Sequence, residues 1–178
     1  MADRHAARVL LLFDSRGGLT EQLAEAVAEG VRSVPGVELR YLRVDEAEQK
    51  ELLETDALIL GSPNWSGMTG KLKEWMDQSG DLWETGELDG NVGACFTAGW
   101  SRSGGTEATL LQLMHLILAH GMLFVGLPWS DTMRRSGSYY GATAHGEVTA
   151  DDRSQARALG RRVAELAQRL RETSADPA

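Results

Sequence analysis

The sequence predicts an α/β protein in which a five-stranded parallel sheet is covered by helices on both faces. Two observations carry this. Apolar runs of strand length recur at 8–13, 57–60 and 92–97, and strands made of such runs belong to sheets buried on both sides. Between the runs, apolar residues return every three or four positions, which is helical spacing, and the links are short.

Taken in order, 8–13 is the first strand. Leu23, Val27 and Val31, with Ala24 and Ala28 beside them, then set one face of a helix over 19–31. Pro35-Gly36 stops that helix, and 37–44 reads as the second strand. A short helix around 47–53 leads to Ala57-Leu58-Ile59-Leu60, a third strand ending in Gly61-Ser62-Pro63. Leu72, Trp75 and Met76 mark another helix; 92–97 is the fourth strand, 107–119 a helix and 122–127 the fifth strand. The last helix is the most regular, with Ala156, Leu159, Val163, Leu166 and Leu170 three and four apart. Residues 1–172 are expected to form one domain, with 173–178 as a flexible C-terminal tail.

Composition narrows the function. A chain of 178 residues has room for one domain with a sizeable core. A net charge of −8 and a pI near 5.0 argue against nucleic acid as a partner. No apolar run approaches the ~18 residues of a membrane span, and the N-terminus shows no secretory pattern. A soluble cytoplasmic protein without a membrane partner is therefore expected. The single cysteine, Cys95, excludes an internal disulfide and any multi-cysteine metal site, so no metal is expected. Its apolar neighbours favour a buried, inert thiol over a reactive one.

In a parallel sheet of this kind ligands sit beyond the carboxyl ends of the strands, near the switch in strand order. The candidates are therefore the segments 14–20, 61–70, 98–105 and 128–145. In the first, Ser15 and Thr20 supply hydroxyls, and Gly17 and Gly18 let backbone approach a ligand. A helix that starts at Leu19-Thr20 would present free N–H groups to a phosphate. The same residues also make an ordinary turn with Thr20 as N-cap. Neither a dinucleotide fingerprint nor a nucleotide P-loop is present, which disfavours a nucleoside triphosphate and leaves a phosphomonoester open. Trp65 and Trp100 would either stack a flat aromatic ligand between loops or cap the core at the sheet's rim.

At this point the residues carry a resemblance. Ser15-Arg16-Gly17-Gly18-Leu19-Thr20 resembles the phosphate loop of flavodoxin-like proteins. The stretches 61–70 (GSPNWSGMTG), 76–83 (MDQSGDLW), 118–122 (LAHGM) and 140–143 (YGAT) follow in order. Together they resemble the WrbA-type NAD(P)H:quinone oxidoreductases over about residues 8–170. The resemblance implies a flavodoxin-like three-layer α/β/α sandwich with FMN as cofactor and NAD(P)H as co-substrate. It implies ping-pong transfer of two electrons to a small-molecule quinone and a homodimer or homotetramer. By position, Ser15, Arg16, Gly17, Gly18, Leu19 and Thr20 would hold the phosphate. Pro63, Asn64, Trp65, Ser66 and Gly67 would run beside the isoalloxazine ring, with Ala98, Gly99, Trp100, Gly104 and Gly105 on its pyrimidine side. His120 would lie near flavin and substrate, and Trp83 would line the substrate space over the ring. A satisfied surface or core histidine and a packing tryptophan are the plainer readings of those two. No catalytic acid or base is named, because the cofactor performs the redox chemistry.

The chain departs from the family at the short segment 44–56, at Trp65 in place of an Arg-Phe pair, and at Gly99-Trp100-Ser101-Arg102-Ser103. These changes bear on the electron acceptor and the choice of nicotinamide. A receiver domain would need an aspartate ending strand three and a lysine after strand five, where Gly61-Ser62-Pro63 and Pro128-Trp129 stand. A low-molecular-weight phosphatase would need a cysteine loop after strand one, where Cys95 does not lie. A flavodoxin-type one-electron carrier is the serious alternative, and a purely regulatory interaction protein a distant one.

Overall fold

The structure, a computed structural model, describes residues 6–16 and 18–174. Gly17 and the last four residues of the expected tail lie outside them, and residues 173 and 174 still belong to the final helix. The order is β1 (Ala7–Phe13), α1 (Leu19–Arg32), β2 (Val37–Arg43), α2 (Lys50–Leu53), β3 (Ala57–Pro63), α3 (Gly70–Asp77), α4 (Gly80–Thr85), β4 (Val92–Gly99), α5 (Thr106–Ala119), β5 (Leu123–Phe124), β6 (Ala142–His145) and α6 (Ala150–Ser174). All strands pair in parallel in the order β2-β1-β3-β4-β5, and β6 also pairs with β4.

The two-residue period of a strand sorts the core into two layers. Val9, Leu11, Phe13, Ile59 and Phe96 face α1 and α6, where they meet Leu23, Val27, Leu159 and Val163. Leu10, Leu12, Leu58, Leu60 and Cys95 point the other way, onto Leu52, Leu72, Trp75, Leu110, Leu113 and Ile117. Each such leucine, fully buried, stabilises the fold by about 1.5–3 kcal/mol. The apolar runs carry no alternation because both of their faces are inside.

The sheet has six strands where five were expected. The fifth position is filled in two pieces: β5 pairs with Val92-Gly93 at the start of β4, and β6 with 96–99 at its end. Between them the chain leaves the sheet after Phe124, runs past Pro128, which has no N–H to donate, and passes through a 3-10 turn at Asp131–Arg134. It returns at Gly141, where a Cβ would lie 2.0 Å from the Cys95 carbonyl oxygen, so only glycine allows the approach. The short helix α4 was also unread; six residues are too few to show a period. No helix among the described residues is long and apolar enough to cross a membrane.

Candidate functional site

The sequence runs from β1 outward to β2 and then back across to β3, so the strand order switches beside β1. At the carboxyl ends of β1, β3 and β4 a cleft of about 130 Å³ opens there, lined by Ser15, Arg16, Gly18, Leu19, Thr20, Pro63, Asn64, Trp65, Ala98, Gly99 and Trp100. Its floor is the start of α1. Gly18 precedes the helix in extended backbone and offers no side chain to cap it. The first intrahelical bond runs from Gln22 N to the Gly18 carbonyl. The N–H groups of Leu19, Thr20 and Glu21 therefore have no partner inside the helix and carry its positive end. Thr20 is buried against them. Glu21 in this first turn would repel an anion, but Arg43 holds its carboxylate at 2.6 Å.

The walls are two loops tied by Asn64. Its Nδ2 donates to the Gly104 carbonyl at 2.6 Å, while its Oδ1 accepts from Thr109 Oγ1 at 2.9 Å and from Gly67 N at 3.2 Å. One amide thus sets the spacing between the loop after β3, the loop after β4 and α5. Gln112 of α5 adds a bond from Met68 N, at 2.9 Å. Ser66 takes a left-handed φ of 74°, the one non-glycine to do so among the described residues. The tight turn it makes is closed by Trp65 N donating to the Gly67 carbonyl. Trp65 and Trp100 are left at the mouth, 56% and 85% exposed.

Of the expected site residues, the structure brings eleven together in the cleft, from three loops that are distant in sequence. Ser66 and Gly67 form the turn behind Trp65, and Gly104 and Gly105 the far end of the 99–105 loop, without lining the cleft. Gly17 lies outside the described residues. Within one chain His120 and Trp83 are not brought to the cleft. Helix α5 starts beside the cleft and runs back along the sheet, so its 14 residues carry His120 about 20 Å away at a 1.5 Å rise per residue. There His120 Nε2 meets Ser79 Oγ at 2.8 Å and Nδ1 meets the Leu116 carbonyl at 2.9 Å. Trp83, on α4 just after Ser79, shares that end and is 57% exposed. Sequence reasoning gave no role to Thr106, Thr109, Gln112 or His145, which brace the walls from 39 residues or more away from their partners or from the unread β6.

The residues fit a flat ligand bearing one phosphate: helix N–H groups without intrahelical partners at the floor, no side chain at Gly18, and indole faces at the mouth. The volume is below the ~300–1,000 Å³ of sites that enclose a small molecule, so a ring held here keeps an open face.

Residues 46–131 match the family described as NADPH-dependent FMN reductase. A NAD(P)H dehydrogenase (quinone) of Archaeoglobus fulgidus is 40% identical, the alignment covering 92% of this chain and 99% of that protein. A flavodoxin of Aquifex aeolicus is 37% identical over 89% of this chain and 85% of its own. Among solved structures, a flavodoxin, WrbA-like protein from Agrobacterium tumefaciens superposes with a TM-score of 0.74 at 28% identity, covering 92% of this chain and 99% of that one. With that fold, that cleft and these relatives, the chain belongs to the WrbA-type NAD(P)H:quinone oxidoreductases, a flavodoxin-like family.

Proposed function

We propose that this protein is an FMN-dependent oxidoreductase that passes two electrons from NAD(P)H to quinones. The observation that carries it is the cleft itself: an anion seat at the start of α1 directly below an open mouth between two exposed indoles. When bound, FMN supplies the hydride- and electron-accepting chemistry. The chain's residues do the rest. Leu19, Thr20 and Glu21 N–H groups and the Thr20 hydroxyl hold the phosphate. Asn64 fixes the separation of the walls, and Trp65 and Trp100 offer apolar faces to flat molecules. One mouth serves both nicotinamide and quinone, so turnover is ping-pong.

Trp83 and His120 sit at the far end of α5 and reach such a mouth from a second copy of the chain. Exposed Leu111, Leu118 and Leu123 mark the same side of the molecule as a contact surface, which supports a homodimer or homotetramer. Cofactor released by heat from the purified protein is expected to run as FMN on chromatography; FAD would overturn the reading. A second reading, a one-electron carrier, is favoured by the flavodoxin relative. It is separated by whether nicotinamide alone reduces the loaded protein.

A further inference from the structure

Strand β6 ends on His145, which lies beside Gly99 at the end of β4, and Gly146 N donates to the Gly99 carbonyl at 2.9 Å. The imidazole Nε2 is 3.0 Å from Oγ1 of Thr106. Thr106 opens α5 directly after Gly105, whose φ of 87° suits glycine and which provides no side chain to cap the helix. A Cβ added to Gly99 would meet the Thr106 methyl at 3.2 Å and Asn64 Cβ at 3.4 Å, so Thr106 packs directly behind the cleft wall. The loop between them is exposed at every residue from 100 to 105. Asn64 restrains it at Gly104, and His145 restrains it through Thr106.

We propose that His145 is a positioning residue for the cleft: through Thr106 it fixes where the 99–105 loop stands, and with it how tightly the cleft holds FMN. The proposal rests on the assignment of the cleft to FMN. With its proton on Nδ1, the neutral imidazole accepts from the Thr106 hydroxyl at Nε2. A second proton makes Nε2 a donor, and the hydroxyl must turn to another acceptor. Burial holds the imidazole below its ordinary range; Asp152 on α6 opposes this and Arg102 in the loop adds to it. The Asp152 carboxylate is already engaged by Ser136 Oγ at 2.5 Å and Thr149 N at 2.8 Å. Glu107 on α5 accepts from Ser138 Oγ at 2.7 Å, and Glu147 bridges to His145 through backbone. With a depressed folded value, the neutral anchor is in place above the ordinary imidazole pKa of ~6.5. As pH falls through the folded value the bond reverses, Nε2–H donating to the hydroxyl oxygen, and the neutral accepting anchor is lost.

The test titrates the full-length apoprotein with FMN, and in parallel with riboflavin, at pH 7.5 and 5.5, following flavin fluorescence. Riboflavin removes the slope that the FMN phosphate itself contributes through its second ionisation near pH ~6. Wild type is compared with His145→Gln, whose amide reaches the same hydroxyl and does not titrate. At pH 7.5 the two proteins are expected to agree within about threefold. On going to pH 5.5, wild type is expected to lose measurably more affinity than His145→Gln for both flavins, by less than about tenfold because the folded imidazole sits below its ordinary value. Amide exchange over 100–106 of the apoprotein, corrected for intrinsic rates, is expected to speed up on acidification in wild type and not in the variant. Equal losses and equal exchange in the two proteins overturn the proposal. Wild type that binds neither flavin at pH 7.5 overturns the FMN reading of the cleft, and this proposal with it.

Discussion

The guanidinium of Arg16 lies 4.7 Å over the indole ring of Trp65. It links the loop after β1 to the loop after β3 across the cleft, between the anion seat and the aromatic mouth. An exposed contact of this kind contributes about 0.5–1 kcal/mol, whereas a hydrogen bond from a charged group to a ligand phosphate contributes about 1.5–3 kcal/mol. Arg16→Ala is therefore expected to weaken FMN by the larger amount and riboflavin by no more than the smaller. Calorimetric titration of both ligands checks this. Equal losses would mean that Arg16 serves the ring and not the phosphate.

Gly160 on α6 faces α1 so closely that a Cβ would stand 2.0 Å from the Val27 carbonyl oxygen. Backbone on both helices would have to part, and overpacking of this sort costs about 1–3 kcal/mol. At roughly 2–4 °C per kcal/mol for a domain of this size, Gly160→Ala is expected to lower Tm by several degrees in a thermal melt. An unchanged Tm would show that the two helices slide apart at no cost.

The strands and long helices were legible because their cause is local: β1, β3 and β4 are apolar runs, and α6 repeats on one face. The same is true of the cleft's floor, since a glycine before Leu19-Thr20 leaves helix N–H groups free wherever that helix begins. The break in the fifth strand had no such cause. Val125 and Leu127 are as buried as strand residues, so 122–127 looks continuous, yet pairing ends after Phe124. Strand β6 is Ala-Thr-Ala-His, poor in strand formers, and forms where Gly141 can touch Cys95. Because β6 was read as loop, His145 could not be seen to reach Thr106. The distance of His120 and Trp83 from the cleft follows from the direction of α5, which a linear motif does not carry.

Cys95 is fully buried, with its sulfur 3.5 Å and 3.4 Å from the Leu110 and Tyr140 carbonyl oxygens. Burial pushes its thiol well above the ordinary range. The thiolate is the reactive form, so native protein is expected to give no reaction with a thiol reagent over hours, and one equivalent per chain after unfolding. Rapid reaction of folded protein would contradict the packing of β4 against α5.

Trp83 and His120 carry the expectation about assembly. Light scattering at micromolar concentration is expected to give the mass of a dimer or tetramer. Trp83→Ala is expected to raise the quinone KM by about 2–13-fold, the equivalent of the ~0.5–1.5 kcal/mol of an aromatic contact, with FMN affinity unchanged. A monomeric mass would leave both residues without a route to any mouth.

The measurement that bears most directly on the function is anaerobic mixing of the FMN-loaded protein with NADH or NADPH, followed at the flavin's visible absorbance, and then with benzoquinone. The expected result is that at least one nicotinamide bleaches the flavin within the turnover time and that quinone restores its colour in a one-to-one amount. Were neither nicotinamide to bleach it, while a one-electron reductant gave a long-lived semiquinone, the protein would be a carrier and the oxidoreductase account would be wrong.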